Sequence, residues 1–315
     1  MNNKLFHIQW HITERCNLKC THCYREPYRK ELGFDELISL ANKIIKFANN
    51  SGRSLIITLT GGEPFLKPEV YDLALYLDNI DAVKTINFIT NGTIIPDSIL
   101  QTISKLNMLY VSLESHQREI NDLIRGNSVF KKVTKNLEQL VYNYKIGLMT
   151  TLLNSNIHSL IDQFEEFINF FFSKGIYEIV FERFIPVGEA KKLKHELLPN
   201  EKILMFYKKL AEVLDVDYDI LKYYPAVKLR NNYKDDFKLE SIEVLVAECI
   251  FGRDGFAILC DGTIYPCRRF DTPIVNVLDD EKFEIELIKG ITDKIKEQIK
   301  IAQQDCFVCY ATIKI

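Results

Sequence analysis

The sequence predicts an α/β fold: a partial (β/α)6 barrel of TIM type, followed by a small β-hairpin-plus-helix domain. Three observations predict it. Short apolar runs alternate with amphipathic stretches through the first two thirds of the 315 residues, the pattern of a parallel sheet with crossover helices. The alternation runs through six βα units rather than eight, which suits an open barrel. It then gives way to a stretch rich in Tyr, Asp and Lys at 214–245, beyond which a hairpin pattern appears.

The expected strands are 5–12, 55–59, 85–89, 108–113, 147–152 and 178–184. The expected helices between them are 35–50, 68–77, 97–105, 131–142 and 160–173. A further helix, 200–213, follows the sixth strand, with Asn200 after Pro199 placed to cap its start. Residues 214–240 read as a linker with some local structure, dividing a barrel domain, 1–213, from a C-terminal domain, 241–315. There, "GFAILCDGTIYPC" reads as two short strands joined at Asp261-Gly262, a strong turn pair. A charged amphipathic helix over 279–303 leads to "DCFVCYATIKI".

Apolar residues make up 47% of the chain, enough for a full core. A net charge of −3 argues against nucleic-acid binding driven by bulk electrostatics. The one dense basic stretch, "KKLKH" at 191–195, reads as a solvated loop or helix face. No secretory signal is visible, and the most apolar patch, "FINFFFSKG" at 167–175, is too short to span a bilayer. A soluble cytoplasmic protein with no nucleic-acid or membrane partner is expected.

The eight cysteines fall in two groups, Cys16, Cys20 and Cys23, then Cys249, Cys260, Cys267, Cys306 and Cys309. Groups of three and five do not pair off internally, so metal ligands or redox groups are expected rather than disulfides. Cys16-x3-Cys20-x2-Cys23 follows the first strand and so sits at the C-terminal mouth of the barrel. Three thiolates can wrap one iron–sulfur cube and leave one iron open for a substrate. A zinc knuckle completed by His22 or a remote cysteine is the alternative.

The full series of motifs resembles the radical S-adenosylmethionine superfamily. It comprises the three-cysteine loop, "GGEP" after the second strand, "TNG" (90–92), "VSLES" (111–115), "IRG" (124–126) and "FIPVG" (184–188). The resemblance implies that Cys16, Cys20 and Cys23 hold a 4Fe–4S cluster whose fourth iron is chelated by S-adenosylmethionine. One electron from the reduced cluster splits the sulfonium to methionine and a 5′-deoxyadenosyl radical, which abstracts hydrogen from substrate. An external one-electron donor of flavodoxin or ferredoxin type is implied. Gly61 and Gly62 would let backbone approach the ligand, and Glu63 would offer a carboxylate to its ammonium. His22 falls where relatives place an aromatic ring near the adenine. Ser112 matches a ligand-bonding position, Arg125 a partner for the carboxylate, and Ile185 an apolar contact to the adenine. Read alone, His22 is also a loop histidine, Arg125 a helix-start surface arginine and Ile185 plain core.

The C-terminal cysteines resemble the twitch domain, the short form of the SPASM domain of the same superfamily, through Cys249-x12-Gly262-x4-Cys267. The resemblance implies a second, auxiliary 4Fe–4S cluster held by Cys249, Cys267, Cys306 and Cys309; a structural zinc site has the same donor set. Cys260 is left over, a candidate hydrogen-atom donor, a small buried hydrophobe or a substitute ligand for Cys249 or Cys267. Sulfatase-maturing relatives carry an aspartate directly after the matching hairpin cysteine; here Arg268 and Arg269 follow, which disfavours formylglycine formation and suggests an anionic group nearby. The expected function is modification of a ribosomally made peptide by epimerisation, crosslinking or other C–H functionalisation. Against it, Cys16 lies so near the N-terminus that no preceding leader-binding domain is expected to fit. A small-molecule radical dehydrogenase or epimerase acting on amino sugars is the alternative, and a non-catalytic zinc-binding interaction protein a third reading.

Overall fold

In KLFHIQWHIT, alternation sends Phe6, Ile8, Trp10 and Ile12 to one face, where all are buried, and His7, Gln9 and His11 to the other. This period runs through six parallel strands: β1 (Lys4–Thr13), β2 (Arg53–Gly61), β3 (Val83–Thr90), β4 (Leu106–Ser112), β5 (Ile146–Leu152) and β6 (Glu178–Arg183). The computed structural model describes residues 4–26, 29–184, 186–221, 226–231, 238–247, 254–268 and 273–276. All six strands coincide with the expected ones to within two residues at each end.

The outer face of the sheet carries the helices α1 (Phe34–Asn50), α2 (Glu69–Asp78), α3 (Arg118–Arg125), α4 (Val129–Asn143), α5 (Ile157–Asp162), α6 (Phe164–Phe172) and α7 (Asn200–Leu214). One continuous apolar core lies between helices and sheet. Its densest part is aromatic: Phe164, Phe167, Phe181 and Phe206 meet with ring centroids 5.0–6.0 Å apart. The apolar patch at 167–175 is therefore buried against β6 and α7, and no helix among the described residues is long and apolar enough to cross a membrane.

Four local expectations are corrected. The stretch expected as a helix at 97–105 is a short 3-10 turn, Ser98–Thr102, because Asp97 caps Ile99 N at 2.9 Å and Asp78 captures Ser104 and Lys105. The stretch expected as one helix at 160–173 is two, α5 and α6, broken at Gln163 (ψ 36°). Asn200 is the first residue of α7 rather than its cap; Pro199 holds the cap position in extended backbone. The segment read as a linker supplies α8 (Tyr218–Leu221), β7 (Ala226–Asn231) and, with the residues just after it, β8 (Ile242–Ala247). β7 pairs antiparallel with β6, and β8 antiparallel with β7. The reason is electrostatic: buried Glu178 accepts from Tyr110 Oη (3.0 Å), Lys228 Nζ (3.2 Å) and Arg230 Nη2 (3.0 Å), so polar β7 residues pair inside the barrel. The "KKLKH" stretch lies in two exposed 3-10 turns, as expected.

At the opposite edge β9 (Gly255–Ile258) pairs parallel with β1, and β10 (Thr263–Tyr265) pairs back on it through the Asp261-Gly262 turn, where Gly262 has φ +81°. A last strand, β11 (Val275–Asn276), completes one eleven-stranded sheet of the described residues, in the order β11-β10-β9-β1 to β8. The helix expected at 279–303 lies outside the described residues.

The hairpin thus shares the core of the barrel: Phe256 meets Phe6 edge-on at 5.2 Å and lies 6.5 Å from Phe47. Phe256→Ala is expected to destabilise the barrel by about 3–5 kcal/mol. A melting curve of the reconstituted protein checks it. One lowered transition fits a shared core, whereas an unmoved main transition beside a separate early one does not.

Candidate active site

The cysteine loop leaves β1 at Thr13 and is fixed at its base by one carboxylate. Glu31 Oε1 accepts from Thr13 Oγ1 (2.6 Å) and Glu14 N (2.9 Å), while Arg15 and buried Lys67 reach its other oxygen at 3.3 and 3.5 Å. The loop then lies on the end of β2. Gly62 N donates to Thr13 O at 2.7 Å and Glu63 N to Arg15 O at 2.8 Å. A Cβ at Gly61 would stand 2.2 Å from Thr13 O, and one at Gly62 2.1 Å from Arg15 O. The close approach that the two glycines permit is to the cysteine loop itself.

Glu63 is fully buried and turned into the protein: it accepts from Thr90 Oγ1 (2.8 and 2.9 Å), Asn91 N (2.8 Å) and Phe65 N (3.2 Å). It ties the GGEP turn to the TNG turn. Asn91 in turn reaches the loop, donating to Asn17 Oδ1 at 2.9 Å and lying 3.6 Å from Cys16 Sγ.

Each thiol of the loop has a polar donor directed at it. Cys16 Sγ faces Leu18 N at 3.4 Å and Asn91, Cys20 Sγ faces Arg125 Nη1 at 4.0 Å, and Cys23 Sγ accepts from Arg25 Nε at 3.2 Å. Arg25 also donates to Glu14 O and Leu18 O, so its guanidinium spans the loop. Burial pushes the Cys16 thiol up and the Cys20 thiol up to about 11; a bound cation would drive out that proton. Among the described residues no three His, Cys, Asp or Glu side chains are gathered around a single ion. Thiolates on a cube each hold a different iron, and the three sulfurs with donors behind them suit that group.

The far side of the loop meets a second carboxylate, Glu114, fully buried just beyond β4. Its Oε1 accepts from Arg125 Nε (3.0 Å) and Nη2 (2.6 Å) and lies 3.4 Å from His22 Nε2; its Oε2 accepts from Thr151 N at 2.6 Å. Arg125 is the last residue of α3 and is buried, not a surface arginine at a helix start. Burial lowers His22 to about 4, so its ring is neutral in the apoprotein near pH 7. Thr21 N bonds Ile124 O at 2.8 Å, docking the loop on α3. Glu114, Arg25 and Glu31 were not singled out in the sequence; Glu114 stands within "VSLES", but its partners lie far away along the chain.

The structure brings Cys16, Cys20, Cys23, His22, Gly61, Gly62, Glu63 and Arg125 together at one mouth of the barrel, with Ser112 half-buried at the end of β4. Cys267 is buried after β10. Cys260 is fully buried in the hairpin, its Sγ 3.8 Å from Lys30 O and its thiol pushed up to about 12 by burial. Ile185, Cys249, Cys306 and Cys309 lie outside the described residues.

A partial barrel with a three-thiol loop at its C-terminal mouth defines a class of iron–sulfur enzyme scaffold. Residues 10–170 match the profile of the "Radical SAM superfamily", and the chain belongs to that superfamily. Membership makes it an enzyme that binds S-adenosylmethionine at a 4Fe–4S cluster, and the cysteine loop is the site whose donors fit. Among curated proteins it is similar to the Fe-coproporphyrin III synthase of Methanosarcina barkeri, 29% identical over 233 residues. That match covers 67% of this chain, which spans only 55% of the synthase's length. It is similar to the GTP 3′,8-cyclase of Clostridium botulinum, 24% identical over 311 residues, 94% of this chain and 90% of that one. In fold it resembles Streptococcus suis SuiB bound to the precursor peptide SuiA, with a TM-score of 0.65, 14% identity and 95% of this chain on 67% of that one. It also resembles anSMEcpe with bound AdoMet and Cp18Cys peptide, with a TM-score of 0.64, 19% identity and coverage of 97% and 88%.

Gly62→Ala sets a methyl group into the Arg15 carbonyl and must move the loop. Iron content after anaerobic reconstitution is expected to fall severalfold, while the far-UV circular dichroism stays near wild type. Full iron loading of Gly62→Ala would show that the loop does not depend on this contact.

Proposed function

We propose that this chain is a radical S-adenosylmethionine enzyme that modifies a ribosomally made peptide by abstracting hydrogen from one of its C–H bonds. The observation that carries the reading is the fold match along nearly the whole chain to SuiB and anSMEcpe, both captured with peptides. Arg25, Arg29 and Arg125 are each engaged by the protein: Arg25 by the loop, Arg29 by Glu26 and Asp261, Arg125 by Glu114. These three guanidiniums are taken up in holding the loop and the rim of the mouth. The second reading, a small-molecule radical enzyme, draws on the GTP 3′,8-cyclase relatives, which align with the chain at higher identity.

In this reading the bound cluster and S-adenosylmethionine supply the 5′-deoxyadenosyl radical. The chain's own residues hold the loop: Glu31 and Lys67 at its base, Gly61-Gly62 beneath it, Arg25 across it. Glu63 holds the TNG turn, and Glu114 sets Arg125 and His22 at the mouth. Ser112 and Ile185 complete the ligand's surroundings. Cys249, Cys267, Cys306 and Cys309 hold an auxiliary 4Fe–4S cluster, an electron relay or structural element, in a C-terminal twitch domain. A flavodoxin- or ferredoxin-type protein supplies the first electron. In the epimerising form of the reading Cys260 returns the hydrogen atom; its burial against Lys30 O suits packing at least as well.

The test supplies reconstituted enzyme, S-adenosylmethionine and a strong reductant with each short peptide encoded beside its gene. The expected result is about eight irons per chain and 5′-deoxyadenosine formed with a mass change or altered stereochemistry in one peptide. Replacing Cys16, Cys20 and Cys23 with Ala should abolish both products. Turnover confined to a small metabolite would favour the second reading, and about two zincs with no iron would overturn both.

A further inference from the structure

The mouth of the barrel holds a buried cation, one of whose N–H groups has no partner among the described residues. Arg268 follows Cys267 and is only 6% exposed. A guanidinium carries five N–H donors in a rigid fork. Here Nη2 donates to Tyr24 O at 3.3 Å, the guanidinium lies over the Tyr24 ring at 5.1 Å, and Glu26 Oε1 stands 3.9 Å away. Nε is buried with no hydrogen-bond partner among the described residues. Glu26 is held by Arg29, whose Nη2 and Nε reach its Oε2 at 2.6 and 2.8 Å.

Edge-on to the same Tyr24 ring, at 6.2 Å between centroids, lies His11 on the inner face of β1. It is 1% exposed, and its Nε2 also has no partner among the described residues. Burial and the charge of Arg268 hold it neutral. Two polar side chains, each more than nine-tenths buried, therefore meet one ring with atoms left unpaired. Such groups are expensive unless a partner arrives.

We propose that Arg268 and His11 form a carboxylate-binding subsite that anchors an acidic side chain or the free C-terminus of the peptide substrate. The inference rests on the peptide reading above. A guanidinium fork matches the two oxygens of a carboxylate, and a neutral imidazole adds a donor without adding charge. Tyr24 directly follows Cys23, so the anchor holds its ligand beside the cysteine loop.

The test selects binders from random short peptides, with amidated or free C-termini, on reconstituted full-length enzyme with S-adenosylmethionine present. Wild type should enrich Asp and Glu, or free C-termini, and Arg268→Gln should lose that enrichment and weaken the selected peptides on the order of tenfold or more. Arg268→Glu should instead enrich Lys and Arg, a gain that misfolding does not produce. Enrichment in the amidated pool identifies a side-chain carboxylate; enrichment confined to the free-ended pool identifies the terminus. Peptide binders with no acidic preference, or a preference unchanged in both variants, overturn the subsite. If no peptide binds, glutarate is the probe, read by saturation-transfer NMR. Binding to wild type but not to Arg268→Gln keeps the subsite and sinks the peptide reading; no binding sinks both.

Discussion

The site depends on one backbone contact, the docking of the cysteine loop on the end of β2. Two hydrogen bonds, from Gly62 N and Glu63 N, join strand end to loop, and no space remains for a side chain at either glycine. A loop carrying three thiols is a poor structure by itself, since it has neither helix nor strand to settle its backbone. Here its amides and carbonyls are paired by the end of β2 and by Glu31, and its far turn by Ile124 of α3.

Around that contact, buried carboxylates do the positioning. Glu63 fastens one turn to another, Glu31 fastens the loop's base, and Glu114 gathers Arg125, His22 and the Thr151 amide. Each is buried or partly so and satisfied by several donors, the condition under which a charge inside a protein is tolerated. The result is a rigid rim over a polar interior, while the apolar faces of the same strands pack outward against the helices. The open sides of the six-stranded arc are filled differently. β7 arrives with Lys228 and Arg230 for Glu178, and β9 arrives with Phe256 for Phe6.

Elements with a local signature were legible in the sequence. The six strands announce themselves by alternation, and the hairpin turn by Asp261-Gly262. The cysteine loop is legible because its ligands lie within eight residues. What was missed depends on partners distant in sequence. β7 reads as a linker because its inward positions are Lys228 and Arg230, and only Glu178, some fifty residues earlier, makes them strand residues. The helix α3 is short, buries only Ile124 of its three apolar residues fully while Leu123 faces solvent, and is held by its neighbours. Glu114 is an unremarked acid until the fold sets residues 22, 125 and 151 around it. The motif singles out Glu63, a buried acid, but its partners Thr90, Asn91 and Phe65 become visible only in the fold.

The central claim is that the three-thiol loop leaves one iron of its cluster for S-adenosylmethionine. Pulsed electron–nuclear double resonance on the reduced, reconstituted enzyme with 15N- and 17O-labelled S-adenosylmethionine tests it most directly. The account predicts hyperfine coupling to the amino nitrogen and a carboxylate oxygen, lost when Cys16, Cys20 and Cys23 are replaced. A cluster signal that shows no coupling to either label, with the cofactor demonstrably bound, would contradict it.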